Sequence, residues 1–218
     1  MSVVAIVGSG PKAYLPNLTD YEEEIDIWIG ADLGGYRVIN EGITLDYAVG
    51  DFDSVTEKQK EFILKKAIHT DAYNQMKNET DLELALNKAY EVGAKKIYLF
   101  GITGGRLDHA LINVQLLYEM INKNIRGIII DWSNKIELKK PGTYSLFKNN
   151  LYPYISFIPF TKEVKHISLS GFIYSISNYD VTWGSTRLIS NELELEKGEY
   201  SFDEGLLLII QSCDTTKK

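Results

Sequence analysis

The sequence predicts an α/β protein: an N-terminal domain built on a mostly parallel sheet, followed by a smaller all-β sandwich or barrel domain. Through residue 133, short apolar and β-branched runs alternate with helical segments, which is typical of βαβ units in a parallel sheet. From Lys135 onward helical periodicity disappears, and short β-rich runs are separated by turn sequences such as Pro141-Gly142 and Lys197-Gly198. We therefore predict an α/β domain over residues 1–133 and a β-domain over residues 134–218.

Apolar runs and helical periodicity place the elements of the first domain. Strands are predicted at residues 3–7, 25–31, 47–49, 96–100 and 127–131, with a weaker one at 68–73. Helices are predicted at residues 34–41, 56–67, 82–92 and from residue 107 onward. The second helix is expected to bury Phe62 and Ile63. The last is expected to bury one apolar stripe, formed by Leu107, Leu111, Val114, Leu117, Tyr118 and Ile121.

The second domain is predicted to be an antiparallel sandwich or barrel, because short strands recur between turns. Its strands are predicted at residues 144–147, 155–160, 164–169, 171–176, 181–183, 192–195, 199–202 and 206–210. The boundary between the two domains is predicted near residues 133–140. On general grounds, the rings of Tyr174 and Trp183 are expected to pack in the core or at a sheet edge.

Composition narrows the class of protein. The chain has 218 residues and a net charge of -7, which argues against a nucleic-acid or membrane-surface partner, since both need a positive field. Cys213 is the single cysteine, so an internal disulfide and a cysteine-rich metal site are excluded. The N-terminal sequence lacks the pattern of a signal peptide, and no apolar run approaches the ~20 residues of a membrane span. A cytoplasmic location is therefore predicted.

Two carboxylates follow the predicted strand at 47–49, in the sequence Gly50-Asp51-Phe52-Asp53-Ser54. If the strand continues, Asp51 and Asp53 project to the same side, because residues i and i+2 share a face. Paired carboxylates with phosphate oxygens and water are typical ligands of Mg²⁺. The alternative is a turn in which an aspartate or Ser54 only caps the following helix.

Acidic residues also follow other predicted strands or begin helices. Asp32 follows the run at 25–31, and Asp108 follows the strand at 96–100 after a glycine-rich loop. Ligands of open α/β sheets bind beyond the carboxyl ends of the strands, so these acids are expected to share one site. Asp81 begins a helix, where Thr80 and Glu83 also predict a capping box. Helix capping and metal binding are both open for Asp81.

The sequence Gly104-Gly105-Arg106 predicts a phosphate-binding loop. Glycines let the backbone approach a ligand at the positive end of the helix, and the arginine adds a permanent planar cation. A Walker A motif is absent. His109 is read from the residues alone as a histidine lining the helix start.

A competing hypothesis, a dinucleotide-binding or nucleotide-sensing module, rests on Gly8, Gly10 and Ala13, although the polar segment after Pro16 is a poor match to the required helix.

Together these motifs resemble the thiamine pyrophosphokinase family over nearly the whole chain. The matching segments are Gly30-Ala31-Asp32-Leu33-Gly34, Val49-Gly50-Asp51-Phe52-Asp53-Ser54, Glu79-Thr80-Asp81, Thr103-Gly104-Gly105-Arg106-Leu107-Asp108-His109 and Ser190-Asn191-Glu192. The resemblance implies Mg²⁺-dependent transfer of pyrophosphate from ATP to the hydroxyl of thiamine, with release of AMP. It also implies a homodimer with its sites at the subunit interface. A pyrophosphokinase for another hydroxymethyl heterocycle, such as a pterin, is the nearest alternative.

The resemblance also implies roles for individual residues. Metal ligands would be Asp51, Asp53 and Asp81, and these three with Arg106 and Asp108 form the catalytic set. Residues implied to bind the nucleotide are Asp32, Thr80, Gly104, Gly105, Arg106 and His109. Residues implied to bind thiamine are Tyr174, whose ring would stack on the substrate, with Ser190 and Asn191.

Overall fold

The computed structural model describes residues 2–72 and 79–214. The chain divides between Trp132 and Ser133 into two compact units. An α/β unit is followed by a unit of antiparallel strands, so the predicted fold class is confirmed. Among the described residues, no helix combines the length and apolar character that a membrane crossing requires.

The first unit is built on parallel strands in the order β4-β3-β2-β1-β5-β6. The strands are β1 (Ser2–Val7), β2 (Ile27–Ala31), β3 (Tyr47–Gly50), β4 (His69–Ala72), β5 (Ala94–Phe100) and β6 (Arg126–Ile130). β1 is buried along its carboxyl half because helices cover parallel sheets on both faces. Successive strands extend to one side of β1 as far as β4, and β5 then pairs with its other side. The order therefore switches direction between β1 and β5.

Four helices accompany these strands: α1 (Leu33–Asn40), α2 (Glu57–Lys66), α3 (Asp81–Glu91) and α4 (Leu107–Asn122). Between β1 and β2 the described chain has two 3-10 helices, Lys12–Tyr14 and Leu18–Glu24, and no α-helix. The dinucleotide fingerprint requires an α-helix directly after its glycines, so the structure does not support the alternative based on Gly8 and Gly10.

Two predictions about helix faces were wrong. On α2, Ile63 is fully buried whereas Phe62 is 37% exposed. On α4, Leu117 and Met120 are buried, but Leu107 and Leu111 are 72% and 56% exposed. Leu117, also part of the predicted stripe, lies about 80° around the helix from Leu107 and about 120° from Leu111, since each residue turns the helix by about 100°. The prediction therefore holds for Leu117 but not for Leu107, Leu111 and Tyr118, which are exposed within this chain.

The second unit packs two antiparallel sheets as a sandwich. Its strands are β7 (Asn134–Lys139), β8 (Gly142–Phe147), β9 (Tyr154–Pro159), β10 (Glu163–Ser170), β11 (Ile176–Thr182), β12 (Lys197–Phe202) and β13 (Leu207–Ser212). In one sheet β13 pairs with β7 and β9, and the other has the order β11-β10-β12-β8. Alternate residues of both sheets, including Phe157, Tyr200 and Phe202, share one apolar core.

Three predictions about strands in this unit were wrong. β7 occupies residues 134–139, where no strand was predicted, and pairs with β13 along its whole length. The predicted strands at 171–176 and 192–195 are irregular and meet only through a bridge between Phe172 and Leu193. Tyr174 and Trp183 are 68% and 67% exposed, so neither lies in the core. Trp183 directly follows the edge strand β11, and its indole donates to the Phe160 carbonyl at 3.4 Å.

Candidate active site

A cavity of about 800 Å³ opens at the carboxyl ends of the parallel strands in the first unit. It includes the loops that follow β1 and β5, where the strand order switches direction, and such a point is the usual ligand site of an open α/β sheet. Backbone hydrogen bonds tie the two loops together, from the Gly8 amide to the Phe100 carbonyl at 2.8 Å and from the Gly10 amide to the Gly101 carbonyl at 2.7 Å. The residues predicted for the site that line this cavity are Asp32, Asp53, Thr80, Asp81, Gly105, Arg106, Asp108 and His109.

Three carboxylates converge beside this cavity, and two of them, Asp32 and Asp53, line it. Asp32, Asp51 and Asp53 each offer an oxygen, and these oxygens lie within 4.8 Å of one another. Asp32 is buried, Asp51 is partly buried and Asp53 is exposed. A set of hard anionic oxygens at this spacing, open to solvent on one side, suits Mg²⁺, which keeps water and phosphate in its remaining positions. The donor set therefore fits the implied metal.

The backbone brings Asp51 and Asp53 together in a way that differs from the prediction. β3 ends at Gly50 and a turn follows, in which Phe52 has a φ of 60°. The extended geometry expected for Asp51 and Asp53 is therefore wrong. In the turn, the Asp53 amide donates to the Asp51 carboxylate at 3.0 Å, and Phe52 is buried. A buried aromatic residue in the left-handed region costs backbone energy, and such strain is concentrated at functional sites.

Gly50 is needed for the position of Asp32. Its φ of 140° is unfavourable for residues with a side chain, and a Cβ at this position would collide with the Asp32 carboxylate. That carboxylate accepts hydrogen bonds from the Phe52 amide at 3.0 Å and from the Ser54 hydroxyl at 3.3 Å. Burial, and after it the negative charge of Asp81, raise the pKa of Asp32 to about 7. A cation beside Asp32 would remove this penalty.

Thr80 and Asp81 begin α3 at the edge of the cavity. The Thr80 hydroxyl accepts from the Glu83 amide at 3.2 Å, and the Glu83 carboxylate accepts from the Thr80 amide at 2.8 Å. This reciprocal pair is the predicted capping box, which is confirmed. Asp81 lines the cavity and acts electrostatically on Asp32, but it is not one of the three converging carboxylates. Its part in metal binding stays a prediction.

The glycine-rich loop after β5 is anchored at its amino end by two side-chain hydrogen bonds. The Thr103 hydroxyl donates to the buried Asp131 carboxylate at 2.7 Å, and the Asn113 side chain on α4 donates to the Ile102 carbonyl at 2.8 Å. Gly104 has a φ of 80° and lies against the Tyr14 ring, where any side chain would collide. Of the two glycines, Gly105 lines the cavity and Gly104 packs on Tyr14.

Arg106 and Asp108 bind each other in this structure. Arg106 Nε donates to Asp108 Oδ1 at 3.1 Å, and Nη2 donates to Oδ2, so the pair is bidentate. The bond from Arg106 lowers the pKa of Asp108 to about 2. Both side chains are exposed at the cavity, as is His109. The guanidinium predicted to bind phosphate is therefore already matched with a carboxylate.

The residues predicted to bind thiamine lie in the second unit. The Asn191 side chain is buried and accepts at Oδ1 from the Tyr174 amide at 3.1 Å and the Glu192 amide at 2.9 Å. Its amide nitrogen donates to the Tyr174 carbonyl at 2.9 Å. Asn191 thus holds the backbone of Tyr174 while the Tyr174 ring remains exposed. Ser190 has a φ of 55° and is exposed beside Asn191.

Residues 18–129 match the family described as thiamin pyrophosphokinase, catalytic domain, and residues 134–207 match that described as thiamin pyrophosphokinase, vitamin B1 binding domain. The chain belongs to the thiamine pyrophosphokinase family. Membership makes it a transferase that forms thiamine diphosphate by pyrophosphate transfer.

Individual members of the thiamine pyrophosphokinase family are similar to this chain over nearly its full length. A thiamine pyrophosphokinase of Bacillus subtilis is 44% identical over 214 residues, which are 98% of this chain and 100% of that protein. The crystal structure of the B. subtilis protein superposes with a TM-score of 0.92 at 43% identity, covering 98% and 100% of the two chains. The crystal structure of the Geobacillus thermodenitrificans protein superposes with a TM-score of 0.85 at 38% identity, covering 98% of this chain and 99% of that chain.

Sequence reasoning missed several residues of this thiamine pyrophosphokinase site. The sequence placed Asp32 among the acids of the site but did not name it as a metal ligand, and it is the buried member of the carboxylate cluster. Thr103, Asp131 and Asn113 hold the glycine-rich loop, and no local motif marks such distant partners. Arg37 on α1 lines the cavity and was not considered. The sequence feature that could have indicated Arg37 is that it is a lone charge on a short helix that directly follows Asp32.

Proposed function

We propose that the first unit binds ATP and Mg²⁺ for the transfer of pyrophosphate to thiamine. The observation that carries this proposal is the convergence of Asp32, Asp51 and Asp53 beside a cavity that also contains the glycine-rich loop. These three carboxylates would hold Mg²⁺, with Asp81 at the edge of the set. When bound, the metal would neutralise charge on the phosphate oxygens.

The reaction asks the protein mainly to position two substrates and to offset charge. The hydroxyl oxygen of thiamine forms a bond to the β-phosphorus of ATP. The bond from that phosphorus to the oxygen bridging the α-phosphate breaks, AMP leaves with the bonding electrons on that oxygen, and the hydroxyl proton is released. No nucleophilic serine or cysteine is required. The Gly105 amide, Arg106 and His109 lie at the cavity where the phosphate chain would pass.

The acceptor side is assigned to the second unit. Tyr174 offers an exposed aromatic ring, and aromatic faces attract cations such as the thiazolium of thiamine. Ser190 adds an exposed hydroxyl and is next in sequence to Asn191, whose side chain binds the Tyr174 backbone. Asn191 would act through Tyr174, because both ends of its amide bind backbone groups of the protein.

We also propose a homodimer in which the acids of one chain face the thiamine residues of the other. The support in this chain is the exposed apolar stripe of α4, formed by Leu107, Leu111 and Tyr118, which begins at the cavity. Contiguous apolar surface of this kind marks interfaces in folded proteins.

Product analysis tests the proposed reaction. The protein is incubated with ATP and Mg²⁺, with and without thiamine, and AMP and thiamine diphosphate are measured by chromatography. We expect equal amounts of both products, formed only when thiamine and metal are present. A pterin alcohol in place of thiamine serves as the control acceptor. AMP formation with the pterin, or none with thiamine, would contradict the proposal.

A further inference from the structure

Arg37 occupies the point where the strand order switches direction. It lies on α1, one turn beyond Asp32, and its half-buried side chain lines the cavity. Nη1 donates to the Gly8 carbonyl at 2.9 Å, and Nη2 donates to the Ser9 carbonyl at 3.4 Å. A Cβ built on Gly101 would lie 3.3 Å from Nη1. The guanidinium thus stands between the loops that follow β1 and β5.

The hydrogen bonds of Arg37 leave much of its guanidinium unused. An arginine has five N–H donors, and the two bonds to carbonyl oxygens use two of them. Among the described residues, no carboxylate forms an ion pair with Arg37. Burial lowers the pKa of Arg37 below the usual arginine value, but an arginine stays charged in proteins. Arg37 therefore brings a whole positive charge and three spare donors to the cavity wall.

The other charges around the cavity show why the positive charge of Arg37 matters for a phosphate ligand. In the described part of the chain, its lining holds four carboxylates, Asp32, Asp53, Asp81 and Asp108, against two arginines and no lysine. Arg106 is matched by Asp108 through two hydrogen bonds. Arg37 is the arginine of the two that no carboxylate neutralises.

We propose that Arg37 binds the phosphate chain of the nucleoside triphosphate directly, at the switch point between β1 and β5. This inference rests on the proposed ATP site and adds a residue to it. The two carbonyl bonds fix the plane of the guanidinium, so its remaining donors are oriented before the ligand arrives. Preoriented donors lose little side-chain entropy on binding, and a planar guanidinium matches phosphate oxygens in pairs.

Equilibrium binding separates this role from a structural one. ATP affinity is measured by calorimetry with Mg²⁺ and without thiamine, at several KCl concentrations, for the wild type and for Arg37→Gln and Arg37→Lys. The matched control is Arg126→Gln, which removes the same charge from an exposed position at the amino end of β6, outside the cavity lining. Circular dichroism melting of each variant measures its folding.

We expect Arg37→Gln to weaken ATP binding about ten-fold or more, the loss typical of one charge-assisted hydrogen bond. Added KCl should also reduce the ATP affinity of Arg37→Gln less steeply than that of the wild type. The variant has one positive charge fewer near the phosphates, so salt has less attraction to screen. Arg37→Lys should bind ATP several-fold more weakly than the wild type, and Arg126→Gln about as tightly as the wild type.

ATP binding by either Arg37 variant at wild-type strength would overturn the inference. Weakened binding by Arg37→Gln with an unchanged salt dependence would overturn it too, because Arg37 would then act only by shaping the Gly8–Ser9 backbone. If Arg37→Gln fails to fold, Arg37→Lys keeps the charge and decides the matter through its affinity. Absence of ATP binding by the wild type would instead reject the proposed ATP site and this inference with it.

Discussion

At the scale of single residues, the three converging carboxylates differ in how firmly they are held. Asp32 is buried, and two donors fix its oxygens, one from Phe52 and one from Ser54. Asp53 is exposed on the turn after β3. A buried, oriented acid can set the position of a cation, while an exposed one can adjust to the ligand.

Replacing Asp53 by Asn should abolish turnover and leave the fold intact. The substitution removes one anionic oxygen from the cluster at nearly constant size, and metal stabilisation is worth several kcal/mol, so we expect at least about a hundred-fold loss. AMP release measures activity. Mg²⁺ should raise the melting temperature of the wild type more than that of Asp53→Asn, since ligands stabilise the state that binds them. Glu61→Gln, an exposed change on α2, is the control. Activity within a few-fold of wild type would contradict the assignment.

Arg106→Lys tests the phosphate role of a side chain that pairs with Asp108 in this structure. An ammonium keeps the charge but loses the planar fork, so we expect kcat to fall about ten-fold or more while the KM for thiamine changes little. Steady-state kinetics at saturating ATP measure both constants. If kcat holds and the KM for thiamine rises, Arg106 belongs to the acceptor side.

At the scale of elements, α2 and α3 begin with the same N-terminal capping motif. Thr56 with Gln59 and Thr80 with Glu83 form capping boxes of the same geometry. The α3 box lies at the cavity, whereas Thr56 is not in the cavity lining. The chain therefore contains an internal control for what a cap alone contributes.

Thr80→Ala and Thr56→Ala should each lower the free energy of unfolding by about 1 kcal/mol, because each leaves helix amides without their partner. Chemical denaturation measures the loss. The predicted contact between Thr80 and the nucleotide adds a second effect, so Thr80→Ala alone should weaken ATP binding. Equal ATP affinities in the two variants would leave Thr80 with capping as its only role. A free energy of unfolding that Thr80→Ala leaves unchanged would argue against the capping role of Thr80.

The sequence allowed prediction of elements whose signals are local. Capping residues place the start of α3, and apolar runs place β1 and β5, because neighbouring residues determine them. The face of α4 was not predictable, since periodicity shows that a stripe exists but not which partner covers it. β7 was missed for a related reason: its pairing with β13 joins residues about 70 positions apart. At the site, the turn at Phe52 depends on contacts with Asp32, which is distant along the chain and which no local pattern connects to it.

At the scale of the whole molecule, each unit has a core of its own, and the proposed substrates divide between the units. The acids and the glycine-rich loop lie in the first unit, and Tyr174 lies in the second. In the proposed homodimer, each site would take its acids from one chain and its aromatic residue from the other.

Mixed dimers test this arrangement. Asp53→Asn and Tyr174→Ala proteins should each be nearly inactive, but activity should return when they are unfolded and refolded together. A hybrid dimer then contains one site with both defects and one with neither, so up to about half of its sites work. Mass spectrometry verifies the hybrids, and AMP release measures activity. Verified hybrids no more active than their parents would place each site within one chain.

The absence of a side chain at position 50 also has a consequence for how the gene can vary. Alanine, usually the mildest replacement for glycine, would drive its methyl group into the Asp32 carboxylate. Residue 50 is therefore restricted twice, by its backbone conformation and by the acid at 32. In a saturation library, codon 50 should tolerate glycine alone under selection for thiamine diphosphate synthesis, and loss of Asp32 should not widen that tolerance, because the proposed metal site needs the acid.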